Sequence, residues 1–278
     1  MPEILVLARQ MRKELAGKTV AVGSLGTVAH RFVWYNRKPA EFAALTQGHV
    51  IGDIWTRGRW LFMALEPGYV FVLGECGGKV LLHRPDEARP RKRHLLLEFT
   101  DGSALSVTTQ MWGAMELYVR GEELNRQYIR DMRPTPADDA FTMAYFESLV
   151  AEVSAGEKRS AKGLLTQDQL IPGLGNAIAQ DILFRARLHP RRPVVDLRRS
   201  ERQRLYRAIR KTVADVIKHG GRNDEYDLFN HPGGYIRLMS KDTAGLPCPA
   251  CGTRIKKEAY LGGACYYCPN CQKLGSSA

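Results

Sequence analysis

The pattern of apolar and polar positions changes character twice along this 278-residue chain. Over residues 4–15 the apolar positions share one side against a charged face of Arg9, Arg12, Lys13 and Glu14, which predicts an N-terminal helix with one buried side. From about 18 to 119 the texture turns to short β-rich runs: TVAVGSLGTV, HVIGDIWTRG, RWLFMALEPG, YVFVLGECGG, KVLLHRP, RHLLLEFTDG and SALSVTTQMWG. Most end in glycine or proline, and EPG and TDG read as hairpin turns. About seven strands at this spacing predict a β-sandwich or flattened barrel.

Residues 120–139 are polar, carry Pro134 and Pro136, and read as a linker. Beyond them the period becomes helical, through FTMAYFESLVAEV, SAKGLLTQDQL and NAIAQDILFRARL. SERQRLYRAIRKTVADVIKHG then places Leu205, Ile209, Val213 and Val216 at three- and four-residue steps and stops at Gly220 and Gly221. GGRNDEYDLFNHPGGYIRL is glycine-rich and polar, and predicts a long mobile loop. The expectation is an α+β multidomain chain. It comprises a helix plus β-sandwich over 1–119, the linker, a helical domain over 140–244 and a cysteine module over 245–278. No internal repeat or low-complexity tract interrupts it.

Composition narrows the function class. Hydrophobic residues make up 44% of the chain, enough for a real core, yet no apolar run approaches membrane-spanning length. The first helix is too charged to be a secretory segment, so a cytoplasmic address is expected. Forty-one basic residues face 29 acidic ones, a formal net charge of +12. That excess points to a polyanion, and without a basic amphipathic helix bearing aromatic anchors the polyanion is nucleic acid rather than membrane.

Four of the six cysteines fall in the pattern Cys248-x2-Cys251-x16-Cys268-x2-Cys271, while Cys76 and Cys265 stand outside it. Each close pair can span one edge of a tetrahedral Zn²⁺, and the intervening RIKKEAYLGGACYY can form the hairpin that joins the edges. Four thiolates close the coordination sphere, so one zinc ion per chain is expected in a structural role. Such sites contribute about 10–16 kcal/mol of apparent binding energy, much of it realised as folding. Arg254, Lys256 and Lys257 make this ribbon a candidate DNA-touching hairpin, with protein contact as the alternative.

Two further features carry less by themselves. Gly173 and Gly175 permit a tight turn before a helix that starts at Asn176, where exposed N–H groups favour an anion. A helix connection with no ligand reads the same way, and no strand leads into it, which argues against a dinucleotide fold. At the other end, Pro2 offers a secondary amine once Met1 is removed, with the Glu3 carboxylate beside it. Met-Pro-Glu starts are common, so the residues alone assign nothing there.

Taken in order, PE at 2–3, the β-rich half, Lys162 to Asn176, ILFRARLHP and the CPxC…YYCPxCQ ribbon resemble the formamidopyrimidine-DNA glycosylase / endonuclease VIII family over essentially the whole chain. The stretch from Lys162 to Asn176 matches that family's helix–two-turns–helix motif without a gap. The resemblance implies excision of oxidised bases from double-stranded DNA carrying a damaged base or abasic site, by a monomer associated with a bacterial nucleoid. It implies attack of the Pro2 nitrogen on C1′ of the lesion sugar, an iminium intermediate and β/δ-elimination, with Glu3 handling protons. It also implies phosphate contacts from Lys162, Gly175 and Asn176.

Several positions depart from the family pattern. Val6 replaces a second glutamate, and Arg59 in TRGRWL stands where a catalytic lysine is usual. An arginine keeps the charge but does not readily release a proton at neutral pH. Glu75 takes the place of a void-filling methionine, and Gln110 lies near that of an arginine, although Met111 and Trp112 can still wedge apolar surface into a duplex. Gly263 falls where the ribbon arginine is expected, leaving Arg254 or Lys256 to compensate. Two readings follow: an active glycosylase/AP lyase, strong on abasic sites and weak on 8-oxoguanine, or a damaged-DNA binder that has lost turnover. A zinc-ribbon protein-interaction module is a third, unrelated class.

Overall fold

The computed structural model describes residues 2–26, 31–74, 78–110, 112–156 and 158–274. It opens with α1 (Pro2–Leu15), β1 (Val20–Leu25), β2 (Val33–Tyr35) and α2 (Pro39–Thr46). Strands β3 (Val50–Arg57), β4 (Trp60–Glu66), β5 (Tyr69–Gly74), β6 (Gly78–His83), β7 (Leu95–Phe99), β8 (Ala104–Thr109) and β9 (Gly113–Val119) follow. The helices α3 (Gln127–Arg130), α4 (Met143–Ala155), α5 (Ala161–Thr166), α6 (Asn176–Ala186) and α7 (Arg199–Lys218) precede a hairpin of β10 (Lys256–Tyr260) and β11 (Gly263–Tyr267). The chain divides into two compact units. One holds Glu3–Met132 and His219–Gly234; the other holds Arg133–Lys218, the chain from Tyr235 onward and the extreme N-terminus. No helix among the described residues is long and apolar enough to cross a membrane.

The first unit contains two sheets, ordered β1-β7-β8-β6 and β2-β9-β5-β4-β3. Neighbours run antiparallel except β2, which lies parallel to β9. The sandwich expectation holds, and the EPG and TDG turns join β4 to β5 and β7 to β8 as read. In β4 every residue from Trp60 to Leu65 is buried, because both faces of the strand are covered. Trp60 and Phe62 pack with Val70, Val72, Ala114 and Ile129 on one side. Ile129 belongs to α3, so part of the stretch read as linker packs against the sheet.

Three elements of this unit lie outside the runs read from the sequence: β2, α2 and β9. The short α2 starts on Pro39 and buries Phe42, whose ring lies 5.9 Å from that of Phe71. It sits so close to β1 that a β-carbon at Gly23 would stand 2.1 Å from Thr46 Oγ1. Strand β9, in GAMELYV, runs on beyond the last β-rich run of the sequence. Helix α1 buries Ile4, Ala8, Met11 and Leu15, a stripe at four-, three- and four-residue steps.

In the second unit α4 to α7 enclose one core built on Phe146, Leu149, Leu164, Ile178, Ile182, Leu205, Ile209 and Val213. Thr142 caps α4 by accepting from Tyr145 N, and Ser160 caps α5 by accepting from Gly163 N. Between α5 and α6 the chain makes its two turns through left-handed Asp168, Gln169 and Gly173. The buried Asp181 of α6 ties down the chain just past Gly234, accepting from Tyr235 Oη, Leu238 N and Met239 N at 2.8–2.9 Å.

Candidate active site and metal centre

Pro2 is the first residue of α1, and Glu3 is the acidic residue of its first turn. Glu3 is only 7% exposed, and among the described residues neither of its oxygens accepts a hydrogen bond. Its charge is met by an ion pair without hydrogen-bond geometry: Arg222 Nη1 approaches Glu3 Oε1 at 3.2 Å. The same guanidinium donates from Nε to Asp224 Oδ1 at 3.0 Å and from Nη2 to Glu225 Oε1 at 2.6 Å. Burial opposes the charge on Arg222, but the three carboxylates outweigh it and hold its pKa above the ordinary arginine value. Burial pushes the Glu225 carboxyl up, against the pull of Arg222.

Arg222 lies in the glycine-rich segment expected to be a long mobile loop. The segment has little regular structure, but it is pinned. Gly234 N donates to His219 O across its neck, and Tyr226 bridges Pro232 inside it. Gln10 of α1 grips its middle with both amide atoms, donating to Asp227 Oδ2 and accepting from Leu228 N, each at 3.0 Å. Leu82 N of β6 donates to Leu228 O, and the Lys79 ammonium reaches Asn230 Oδ1 and lies 3.8 Å from the Tyr226 ring centroid. Composition reports a loop, but it cannot report partners more than 200 residues away. The sequence reading therefore missed Arg222, Glu225 and Gln10.

Arg59 occupies the two-residue turn between β3 and β4, behind left-handed Gly58, and is half-buried. Trp112, 43% exposed, stands in the turn between β8 and β9, where Thr109 Oγ1 donates to its carbonyl at 2.8 Å. Its ring stacks on Trp34 at 5.3 Å with 13° between planes and touches Phe32 at 4.6 Å. Trp112 is thus one member of an exposed three-ring cluster. Met111, Glu75 and Cys76 lie outside the described residues. His83 and His94 are buried in hydrogen bonds, His83 Nε2 2.7 Å from Ser106 Oγ and His94 Nδ1 accepting from Thr109 N.

In the second unit the helix–two-turns–helix segment and the ribbon are joined by hydrogen bonds. Gly175 caps α6, and Asn176, exposed at its start, donates from Nδ2 to Ala264 O at 3.1 Å. Gln180 clasps β11, donating to Ala264 O and accepting from Tyr266 N. Lys162 is 1% exposed and donates to Tyr260 O at the end of β10; burial pushes its ammonium pKa down. A β-carbon at Gly263 would lie 3.3 Å from Asn176 Nδ2, so a side chain at this position would press on the α6 start. Arg254 is exposed and donates to Gly245 O at 3.0 Å; Lys256 is exposed at the head of β10.

The hairpin forms as the sequence predicts. Leu261 and Gly262 both take positive φ in a two-residue turn whose twist suits an antiparallel ribbon. It brings Cys248, Cys251, Cys268 and Cys271 together, with all four sulfurs within 4.8 Å of one another. Cys248 Sγ lies 3.9 Å from Cys271 Sγ, and Cys251 Sγ lies 3.5 Å from Cys268 Sγ. Sulfurs about 2.3 Å from a central zinc stand about 3.8 Å apart at tetrahedral vertices, so this cradle can hold a metal ion.

Comparison with known proteins covers the whole chain. The family model for the formamidopyrimidine-DNA glycosylase N-terminal domain matches residues 1–112, and that for the formamidopyrimidine-DNA glycosylase H2TH domain matches 132–226. A formamidopyrimidine-DNA glycosylase of Symbiobacterium thermophilum is 31% identical over 280 residues, covering 99% of this chain and 89% of the relative. The crystal structure of the MutM (Fpg) protein from Thermus thermophilus has a TM-score of 0.81 at 28% identity over 99% of both chains. Lactococcus lactis Fpg in complex with DNA containing an abasic site gives a TM-score of 0.84 over 98% of this chain and 99% of that one; at 23% identity it shows the fold.

Proposed function

Because the chain belongs to the formamidopyrimidine-DNA glycosylase family, we propose that it removes damaged bases from double-stranded DNA and nicks the strand at the resulting abasic site. The observation that carries this is the 31% identity to a relative of that name across 99% of the chain, with Pro2 and Glu3 at the head of α1. The reading as a binder without turnover is not favoured, since no pure binder needs that pair.

In this reading the lesion is flipped from the stack at a cost of a few kcal/mol, which a damaged pair lowers. The Pro2 nitrogen forms a bond to C1′ as the base leaves with its bonding pair and takes up a proton. Opening of the sugar ring gives the iminium. Loss of a C2′ proton then expels the 3′ phosphate, and a second elimination expels the 5′ phosphate. Glu3, buried and ion-paired, serves the protons at the sugar. Arg59 stabilises phosphate charge as a fixed cation. The N–H groups at the α6 start, with Gly175 and Asn176, meet a backbone phosphate. Lys162 braces the hairpin from below and reaches a phosphate only by leaving Tyr260 O. Arg254 and Lys256 supply ribbon cations, and Trp112 wedges into the duplex.

Zn²⁺, one ion per chain on Cys248, Cys251, Cys268 and Cys271, is the metal we assign to the ribbon. Bound there it fixes the hairpin and takes no part in the chemistry, because four thiolates leave no open position.

Sodium borohydride tests the reading. It reduces an iminium to a stable amine, so the protein with Met1 removed should form a covalent adduct on abasic and oxidised duplexes, and Pro2→Gly should weaken or redirect it. Tight binding to abasic DNA with neither adduct nor nick would favour the binder instead.

A further inference from the structure

Arg222 and Glu3 form a buried ion pair. Three nitrogens of Arg222 each face a different carboxylate. Two of these, Asp224 and Glu225, belong to its own segment and fix the plane of the guanidinium. The third nitrogen, Nη1, is the arm that leaves the segment, and it meets Glu3. The side chain is 10% exposed, so little water screens the interaction.

The backbone beneath Arg222 is fixed as firmly. Gly221 has φ +106°, and a β-carbon there would lie 3.2 Å from Glu3 Cγ, so the chain passes directly over the glutamate. Gly234 N closes the neck on His219 O, and Gln10 clamps the far side of the segment to α1, the helix that carries Glu3. Glu3 and Arg222 are thus held by one rigid assembly of α1 and the 219–234 segment. Among the described residues neither Glu3 oxygen accepts a hydrogen bond, so the contact from Arg222 is what meets this carboxylate. A buried carboxylate is costly without a cation beside it, and Arg222 Nη1 at 3.2 Å supplies one.

We propose that Arg222 is a positioning residue for the reaction at Pro2, acting through Glu3: it fixes a cation against the Glu3 carboxylate and so holds that side chain in place, while Asp224 and Glu225 hold the guanidinium. The proposal rests on the reading of Pro2 and Glu3 given above. Lysine at 222 keeps the charge but cannot address three carboxylates in one plane, so it restores only part of the function.

The test is a mutant cycle on abasic duplex, using single-turnover nicking and borohydride-trapping rates together with duplex affinity. Such a substrate needs no base departure, which keeps the slow variants measurable. Arg222→Ala should lower the rates roughly 30- to 100-fold with affinity within about twofold, and Arg222→Lys should recover a fraction of that. In a Glu3→Gln background, Arg222→Ala should add less than about threefold, because residues acting through one another are non-additive. Equal fold-losses in the two backgrounds, or wild-type rates in a folded Arg222→Ala, overturn the proposal. If Arg222→Ala does not fold, the cycle is run with Arg222→Lys and judged by the same additivity. Failure of the wild-type chain to trap or nick at all is a different result, and removes the proposed function itself.

Discussion

Gly233 meets Gly221 backbone to backbone: a β-carbon on Gly233 would stand 2.2 Å from the Gly221 carbonyl oxygen. This close approach seals the segment that presents Arg222. Gly233→Ala has to force the two strands of the neck apart, at a cost of about 1–3 kcal/mol for overpacking. It should lower the melting temperature and reduce nicking of abasic DNA together. A variant with unchanged melting and activity would show that the neck does not hold the segment.

Asp181 predicts a larger loss from a smaller change. Burial pushes its carboxyl pKa up, yet three donors converge on it. In Asp181→Asn the amide nitrogen must face an N–H or O–H that it cannot accept. The expected loss is about 2–3 kcal/mol, read from urea unfolding, and Tyr235→Phe should lose about 1 kcal/mol.

Metal content gives an independent check on the ribbon. Elemental analysis should find one zinc per chain, and Cys271→Ser or a strong chelator should release it. Without it the 245–274 region should lose amide protection while α4 to α7 keep theirs, since their core is separate. Full protection of that region in the metal-free protein would contradict a structural zinc.

Acid sensitivity follows from Asp101. Its hydrogen bond from Lys18, followed by that from Ser103, lowers the carboxyl pKa to about 2, from about 3.9 in an unfolded chain. A depressed carboxyl stabilises the fold fully above the unfolded value and loses that contribution as pH falls toward 2. The Asp101 side chain is half exposed, so screening keeps the contribution below about 1 kcal/mol. Asp101→Asn should be less stable than wild type at about pH 6 and nearly equal to it at about pH 2, by urea titration.

Arg59 divides charge from proton transfer. Arg59→Ala should slow nicking of abasic DNA by roughly 100-fold through loss of a fixed cation. Arg59→Lys should keep most of the rate, because a lysine supplies the same charge and can also pass a proton.

What the sequence made legible was whatever is local or periodic. The α7 stripe of Leu205, Ile209, Val213 and Val216, the TDG turn, and the spacing of Cys248, Cys251, Cys268 and Cys271 each repeat or close within a few residues. Helix α2 escaped because eight residues give barely two turns of periodicity, and Phe42 and Thr46 reveal their burial only against β1 and β5. The pinned segment escaped for a different reason. Glycines that look like freedom at Gly221 and Gly233 are in fact required by close backbone approach, and Arg222 reads as one more solvated cation until Glu3 is placed beside it. The roles proposed for Pro2 and Glu3 come from the family resemblance, which says nothing of the contacts around Glu3.

The first unit is not contiguous in the chain: after Met132 the polypeptide leaves it, builds α4 to α7, and comes back for His219–Gly234. During synthesis the sandwich therefore emerges from the ribosome long before the piece that braces α1 at Glu3 and Gln10. A nascent chain halted after α7 would carry Pro2 and Glu3 but lack the segment that contacts Glu3 and Gln10. Competence should accordingly arrive late and abruptly, once the chain has lengthened past Gly234, however early the β-strands have paired.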